Sequence, residues 1–290
     1  MGRVAIFTDS ASDLDPADAA AAGITIVPLI VSFGPDSYRT GVEMSTQAFW
    51  ERMTAPDAPF PTTAASSPGD FRDAFEAAFA EGAEAIVSVN VSSTLSGTIK
   101  SAQIARDMLP NREIHIVDSL SASMSQSILA RIGLDMAARG VPAADIAEAL
   151  RKRVPDLRVY VALETLEYLK KGGRISGTRA AIGTLLSVKP IISVDRGVVD
   201  TADRVRTRAK ARERLIEMIC AHPIERIEIL HTLTPDVEAF RDEVIARASG
   251  SLDPSTVTIG LVGSSVGPHL GPGCLGAAVL YEAGAVPNEG

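Results

Sequence analysis

The sequence predicts an α/β protein made of two α/β domains, the first with a largely parallel sheet. Short apolar runs alternate with helical patterns along most of the 290 residues, and 46% of all residues are hydrophobic. Such alternation is typical of right-handed strand–helix–strand crossovers. The segment Val154-Pro155-Asp156 interrupts the alternation. We therefore place the boundary there, between domains 1–155 and 156–290.

In the first domain, the spacing of aromatic and capping residues predicts helices between the strands. Phe71, Phe75 and Phe79 are four residues apart and share one helical face, and Ser45 is placed to cap a helix that contains Trp50. The expected strands are Val4–Phe7, the stretch Ile24–Phe33 broken at Pro28, Glu84–Asn90 and Ile114–Val117. The other expected helices are Asp70–Ala80, Leu95–Leu109, Ala122–Ala138 and Pro142–Arg153.

The second domain shows the same alternation with shorter elements. Gly172-Gly173 is expected to stop a short helix, because glycine favours helix ends. The expected strands are Leu157–Leu163, Pro190–Val194, Arg226–Leu230, Val257–Val262 and Leu275–Tyr281. The expected helices are Leu166–Lys171, Arg208–Cys220 and Pro235–Ala248. The final segment Pro287–Gly290 is expected to fray.

Composition argues against several classes of function. The net charge of -8 and the aromatic content of 4% are unlike those of a nucleic-acid reader. Cys220 and Cys274 are too few for a disulfide framework or a thiolate metal site. The N-terminus lacks the apolar stretch of a signal peptide, and no apolar run approaches the ~20 residues of a membrane span. We therefore expect a cytoplasmic protein without a cofactor.

Positive charge is concentrated in the second half of the chain. Residues 165–215 contain 12 Lys and Arg against 5 Asp and Glu. This excess favours a docking face or an anion site there. The alternative is a set of ordinary solvated helix faces.

Two loops rich in hydroxyl groups are candidate anion sites. Ser92–Thr98 joins the strand ending at Asn90 to a helix, where free N–H groups and the helix dipole favour an anion. It has no Gly-Lys-Ser/Thr ending and so is not a nucleotide P-loop. Alternatively, Ser92 or Ser93 only caps the helix. The loop Pro61–Pro68 is open to the same two interpretations.

A third loop, Gly263–Gly273, matches two motifs that its context argues against. A G-x-S-x-G elbow around Ser265 needs a helix directly after the serine, which Pro268 and the following glycines disfavour. The G-x-G-x-x-G match at Gly271–Gly276 precedes a strand, whereas a dinucleotide site needs a helix. His269 could donate a hydrogen bond to an anion, or it could only satisfy the backbone of its own loop.

The other titratable residues carry weaker signals. Asp9 follows the first strand and could be catalytic, although Asp and Ser in this segment also favour a cap and turn. His115 and His231 are expected to be structural, and His222 lies in a loop. No pair of histidines or carboxylates shares a helix face at metal-ligand spacing, so no metal is expected.

Taken in order, these segments resemble the DegV-like family. Each segment is weak alone, but their joint order is specific and spans nearly the whole chain. The matching segments are Thr8–Leu14, Pro28-Leu29, Thr63–Phe71, Ser92–Thr98, Val117–Ser123, Leu166–Ser176, Lys189–Ile191, Arg206-Thr207 and His269–Gly276. The resemblance implies a two-domain α/β protein with its ligand between the domains.

The resemblance also implies a lipid-binding protein rather than an enzyme that acts alone. Such a protein binds a long-chain fatty acid by its carboxylate, with the acyl chain in an apolar tunnel. A separate ATP-binding fatty-acid kinase then converts the carboxylate to an acyl phosphate for phospholipid metabolism. The implied partners are the fatty acid, this kinase and, transiently, a membrane surface, with no nucleic acid.

Individual residues follow from the matched segments. The residues implied to bind the ligand are Thr63, Ser96, Gly97 and His269. Arg174 and Arg206 match positions near the ligand mouth or the kinase contact. One segment departs from the family, which often has Thr-Ser-Gln-Pro-Ser where this chain has Thr-Ala-Ala-Ser-Ser at 63–67. The threonine hydroxyl is retained, but the polar contacts behind it are not implied.

Two other functions remain open from the residues alone. A serine-dependent hydrolase or acyltransferase would use Ser96 or Ser265 with His269, and it needs a third group that orients the histidine. A small-molecule kinase would need its ATP site elsewhere, because the chain has no phosphate loop with a lysine.

Overall fold

The computed structural model of the protein describes residues 2–175 and 188–286. Within these ranges the strands are β1 (Val4–Asp9), β2 (Ile24–Val27), β3 (Ile30–Phe33), β4 (Asp36–Arg39), β5 (Thr62–Ala64), β6 (Ala85–Asn90), β7 (Glu113–Asp118), β8 (Leu157–Ala162), β9 (Lys189–Asp195), β10 (Val198–Val205), β11 (Ile224–His231), β12 (Thr258–Leu261) and β13 (Leu275–Tyr281). The expected fraying of Pro287–Gly290 lies outside the described residues, as does Ser176.

The helices alternate with these strands over much of the chain. They are α1 (Pro16–Ala22), α2 (Thr46–Met53), α3 (Pro68–Ala80), α4 (Thr98–Asp107), α5 (Met124–Ala138), α6 (Ala143–Arg153), α7 (Glu167–Gly172), α8 (Arg208–Ile219), α9 (Val237–Arg247) and α10 (Gly267–Leu270). Most predicted elements are present with boundaries shifted by a few residues, and β13 has the predicted bounds.

The first sheet is wholly parallel, with strand order β2-β1-β6-β7. Helices α3 and α4 cover one face, where the predicted stripe of Phe71, Phe75 and Phe79 is buried. The ring of Phe75 packs edge-on against Phe7 of β1, with centroids 5.2 Å apart. Helices α5 and α6 cover the other face. The predicted α/β fold with a parallel first sheet is therefore confirmed.

Residues 30–64 include a small antiparallel sheet, of which only β3 lies within a predicted strand, the stretch Ile24–Phe33 broken at Pro28. Its strand order is β4-β3-β5, and α2 packs on it through Phe49 and Trp50. Ser45 caps α2 as predicted, because its hydroxyl accepts from Ala48 N at 3.2 Å. The three strands have only three or four residues each, too few for a clear period-2 pattern. This layer carries Thr63.

The second sheet has six strands in the order β10-β9-β8-β13-β11-β12. Its pairs are antiparallel except β11 with β12. Helices α8 and α9 cover one face around Leu215 and Phe240. Strand β10 was not predicted. The first sheet uses strands before the turn at Val154–Asp156, and the second sheet uses strands after it. The division into domains 1–155 and 156–290 remains a prediction.

Helix α4 begins at Thr98, so the prediction that it begins at Leu95 was wrong. The hydroxyl of Ser92 accepts from Thr94 N, and the hydroxyl of Ser96 accepts from Thr98 N at 3.2 Å. Such local side-chain bonds compete with the helical ladder and keep this segment a turn.

A one-turn helix also follows Ser265, where the sequence analysis expected none. Helix α10 spans Gly267–Leu270 with Pro268 in its first turn, where the missing N–H costs nothing. Gly271 follows at φ +75°, outside the helical range. The helix is too short to resemble a hydrolase elbow.

Helix α5 lies between the two large sheets. It contacts β1 and β6 of the first sheet and β8, β11 and β13 of the second. Its Ser127 donates to the carboxylate of Glu228 in β11, 3.0 Å from each oxygen, and Arg131 Nε lies 3.5 Å from Glu228 Oε1. Burial raises the pKa of Glu228 to about 7, and Arg131 and Ser127 oppose that shift.

The substitution Glu228→Gln is expected to remove part of the pH dependence of stability. The folded pKa of about 7 exceeds the ordinary 4.5, so the folded state keeps a proton that the unfolded chain releases. Stability therefore falls as pH rises through this window. The amide cannot ionise, so the variant should lack a loss on the order of 1 kcal/mol.

Urea unfolding at pH 5 and pH 8 measures this difference. The matched control is Glu238→Gln, which changes an exposed carboxylate on α9 and should keep the wild-type pH dependence. If Glu228→Gln lost as much stability over this range as the wild type, the buried carboxyl would not be the source.

Candidate functional site

A narrow apolar cavity lies between the first and second sheets. Its apolar lining includes Leu29, Val91 and Ala122 from the first half and Ile192, Val194 and Val199 from the second. Its polar lining consists of Thr63, Ser96, Arg174, Ser265 and His269. About 90 Å³ of this space is open to water. The shape suits a slender apolar group with a polar end.

Thr63 and His269 meet at the wall of this cavity. Thr63 lies opposite Val31 in the small sheet, and its Oγ1 is 3.1 Å from Nε2 of His269 in α10. The two residues are 206 positions apart in the chain. Nearby, the indole N–H of Trp50 donates to the buried carbonyl of Val262 at 2.8 Å. This bond holds the small sheet against the loop that carries His269.

The imidazole of His269 is held neutral. Burial lowers its pKa to about 4, and the positive charge of Arg174 acts in the same direction. Its Nδ1 is buried and has no hydrogen-bond partner among the described residues. An unpartnered buried N–H is costly. We therefore assign the ring proton to Nε2, which donates to Thr63 Oγ1 and faces the cavity.

Gly172 makes room for this ring. A Cβ built on Gly172 would overlap Nδ1 of His269, so any larger residue would displace the imidazole. The adjacent Gly173 has a positive φ of 66° and ends α7 as predicted, but nothing lies within 4 Å of a Cβ built on it. The two neighbouring glycines therefore serve different purposes.

The Ser92–Thr98 loop supplies a single hydroxyl to the cavity. Ser92 and Thr94 bond to each other at 2.8 Å, and Thr94 also donates to the carbonyl of Gly197 in the β9–β10 turn. Those two hydroxyls thus dock one half of the chain on the other. Ser96 bonds to Thr98 Oγ1 at 2.8 Å and lines the cavity.

The loop around Thr63 approaches the start of α4. A Cβ built on Gly97 would lie 4.0 Å from Cβ of Ala65, so the two loops meet beside the cavity. Ser66 is turned away and donates to the carbonyl of Pro28 at 2.8 Å. Ser67 caps α3. Thr63 is therefore the hydroxyl that this loop contributes to the cavity.

The structure places Arg174 at the cavity but not Arg206. Arg174 donates from Nε to the carbonyl of Leu95 at 3.3 Å and from Nη1 to that of Gly172 at 2.7 Å. It thereby bridges the two halves beside the imidazole. Arg206 lies at an exposed position beyond β10 and is not among the described cavity-lining residues.

Ser265 lines the cavity, but among the described residues it does not form a catalytic triad with His269. Its hydroxyl lies 2.9 Å from Ser10 Oγ and 3.3 Å from Thr40 Oγ1. Neither Ser265 nor Ser96 bonds to His269 there, and no carboxylate orients Nδ1 of the histidine. A triad needs both contacts, so this geometry does not favour the serine hydrolase.

The remaining candidates take structural positions. Asp9 is fully buried and accepts from Ala11 N at 3.0 Å and Val91 N at 2.9 Å, as a cap and turn residue does. No three His, Cys, Asp or Glu residues are grouped for a metal ion in the described part of the chain. None of the helices described there combines the length and apolar character needed to cross a membrane.

The whole chain is similar to known proteins. The family model described as "Uncharacterised protein, DegV family" matches residues 3–282. The chain belongs to the DegV family. A DegV domain-containing protein of Deinococcus radiodurans is 33% identical over 281 residues, covering 95% of this chain and 98% of that protein. A second, from Caldanaerobacter subterraneus, is 30% identical, with coverages of 97% and 99%.

Solved DegV structures share the fold. A fatty-acid-binding DegV protein from Thermus thermophilus is 31% identical, with a TM-score of 0.86 over 97% of this chain and 100% of the other. A stearic-acid-binding protein from Eubacterium ventriosum is 26% identical, with a TM-score of 0.86 and coverages of 98% and 100%. The fatty-acid-binding DegV of Bacillus subtilis is 27% identical, with a TM-score of 0.85 and coverages of 97% and 100%.

The substitution Gly172→Ala is expected to raise the pKa of His269 from about 4 towards the ordinary 6.5. Burial is the main cause of the low value, and the added methyl group would force the ring out of its buried position. A pH titration of the imidazole by NMR measures the change. Gly173→Ala is the control: its positive φ strains the alanine, but no atom lies near the added methyl group, so the pKa of His269 should stay near its wild-type value. An unchanged pKa in Gly172→Ala would show that the ring accommodates the methyl group.

Proposed function

We propose that this DegV-family protein binds one long-chain fatty acid through its carboxylate. The observation that carries the proposal is the contact between Thr63 Oγ1 and His269 Nε2, 3.1 Å apart, at the wall of an apolar cavity. Relatives described as fatty-acid-binding proteins share the fold over nearly the whole chain. In this proposal, the carboxylate accepts from Thr63, Ser96 and His269, with Gly97 beside them.

The polar groups offset the cost of burying the head group. A carboxylate without partners in an apolar cavity would be strongly destabilised as an anion. The neutral imidazole has one N–H, at Nε2, which the carboxylate would share with Thr63 Oγ1, and the hydroxyls of Thr63 and Ser96 can each donate one hydrogen bond. Hydrogen bonds to a charged acceptor are stronger than those between neutral groups. The charge of Arg174 at the same cavity favours the anion further.

The acyl chain would supply most of the affinity. Each buried methylene contributes about 0.8 kcal/mol, so about 14 of them would contribute roughly 11 kcal/mol before entropy losses. Full burial of such a chain requires the cavity, with about 90 Å³ in this structure, to widen. The aliphatic side chains that line the cavity come from both halves of the chain. An extended chain held there would therefore bridge the two halves of the protein.

We further propose that the bound fatty acid is presented to a separate ATP-dependent kinase. A carboxylate oxygen would form a bond to the γ-phosphorus of ATP while the bond from that phosphorus to the β–γ bridging oxygen breaks and ADP leaves. The chain has no phosphate loop with a lysine, so the nucleotide would come from the partner. The positive excess in residues 165–215 supports a docking face for that partner.

The setting proposed for this reaction is the cytoplasm. Cys220 and Cys274 are both free thiols, as a reducing compartment favours. Transient contact with a membrane surface would let the protein take up or deliver its lipid.

Thr63→Ala and Ser96→Ala are each expected to weaken fatty-acid binding by about tenfold, since each removes a hydrogen bond to a charged group. Isothermal titration with palmitate measures the affinity, and circular dichroism checks the fold. Ser67→Ala, which changes a hydroxyl that caps α3, is the matched control. Unchanged affinity in both variants would remove these hydroxyls from the site.

Native mass spectrometry of the purified wild type should show an added acyl mass, and its consistent absence would count against the proposed function.

Arg206→Glu is expected to reduce phosphorylation of the bound fatty acid while leaving its affinity within about twofold, because the side chain is exposed and lies outside the cavity lining. Paired binding and kinase assays measure the two effects. Arg139→Glu, at an exposed position after α5, reverses the same charge outside residues 165–215. Equal loss in both variants would indicate a general charge effect, and a larger loss of lipid binding than of phosphorylation would refute the docking face.

A further inference from the structure

A wide groove adjoins the polar part of the cavity. Leu95, Ser96 and Arg174 line both the cavity and the groove. About 910 Å³ of the groove is open to water, about ten times the corresponding volume of the cavity. A group attached to the carboxylate would therefore pass Ser96 and Arg174 and enter this groove.

The groove is cationic in a protein that is acidic overall. Among its described lining residues are Lys100, Arg151 and Arg174, against the single carboxylate of Asp118. Asp118 accepts from Leu120 N at 2.9 Å and from Ser93 N at 3.3 Å, so its oxygens are engaged by the backbone. The whole chain carries a net charge of -8, so three cations facing one acid is a local exception.

Lys100 and Arg151 form no ion pair with an acid in the described part of the chain, although the charge of Arg151 also acts on Glu148 and helps to lower the pKa of that carboxyl. Lys100 is exposed in the first turn of α4, and Arg151 donates from Nη2 to the carbonyl of Ile116 at 3.1 Å. The adjacent Lys152 differs, because it pairs with Glu148 at 2.6 Å and does not line the groove. Two cations that form no ion pair with a described acid, together in one groove, favour an anionic ligand.

The N-terminus of α4 adds to the positive electrostatic potential of the groove. Gly97 caps this ten-residue helix without a side-chain hydrogen bond, and it lines the groove. The positive end of the helix dipole therefore faces the groove along with the side-chain cations.

We propose that Lys100 and Arg151 bind a phosphoryl group in this groove. The inference rests on the proposed function, in which a phosphoryl group is transferred to the carboxylate at Ser96. The ligand chemistry is a phosphate with at least two charged oxygens. It comes either from the acyl phosphate after transfer or from the triphosphate of the nucleotide before transfer. The groove thus binds the phosphoryl group that is transferred, whereas the cavity binds the fatty acid.

The test compares three probes on the full chain, namely palmitate, hexadecyl phosphate and inorganic tripolyphosphate. The lipids are measured by displacement of a fluorescent fatty acid and tripolyphosphate by calorimetry. Lys100→Gln should weaken hexadecyl phosphate binding by about tenfold, the loss typical of one charge-assisted contact, and change palmitate binding by less than about twofold. Lys100→Arg, which keeps the positive charge, should bind hexadecyl phosphate with nearly wild-type affinity. Lys152→Gln removes a lysine charge from a neighbouring helix outside the groove and should behave as the wild type.

The outcomes separate the two sources and the two proposals. A loss confined to hexadecyl phosphate assigns the groove to the acyl phosphate, and a loss confined to tripolyphosphate assigns it to the nucleotide. No loss with either probe, or an equal loss with palmitate, would overturn the phosphoryl site and leave fatty-acid binding intact. A wild type that binds tripolyphosphate but not palmitate would overturn the proposed function instead, and with it the assignment of the groove to this reaction.

Discussion

The hydrogen bond between Thr63 and His269 depends on the packing of three separate parts of the chain. The small sheet brings Thr63, the connection between β12 and β13 brings His269, and the end of α7 leaves room for the ring at Gly172. The indole of Trp50 ties the first two together through Val262. The candidate site therefore exists only when both large sheets are docked.

Burial at the junction of the two sheets affects acids and the imidazole in opposite directions. It raises the pKa of Asp13 and of Glu228 to about 7 in each case, and it lowers that of His269 to about 4. All three shifts favour the uncharged form, as expected for a junction that excludes water. Asp13 also accepts from Ser123 at 2.6 Å and from Gly263 N at 2.8 Å. The two acids and the imidazole therefore carry less charge at this junction than exposed groups of the same kind would.

Much of the fold was predictable from the local pattern of apolar and polar residues, whereas the candidate site was predictable only in part. The parallel sheet followed from short apolar runs that alternate with helices, and the Ser92–Thr98 loop and His269 stood out by residue type. Strands β4 and β5 of the small sheet were not predicted, because they are too short to show a period. Equally, the sequence could not reveal that Ser92 and Thr94 dock the turn at Gly197 while Ser96 faces the cavity. That division depends on contacts between residues about 100 positions apart.

The position of α5 between the sheets has a consequence for how the protein is made. Ser127 emerges from the ribosome 101 residues before its partner Glu228. Until then, one side of the helix has no covering sheet, and its apolar residues are exposed to water. If the N-terminal half of the chain were released at this stage, it would expose an apolar surface of the kind that chaperones bind. Biogenesis thus favours holding the nascent chain until the last strands have been synthesised.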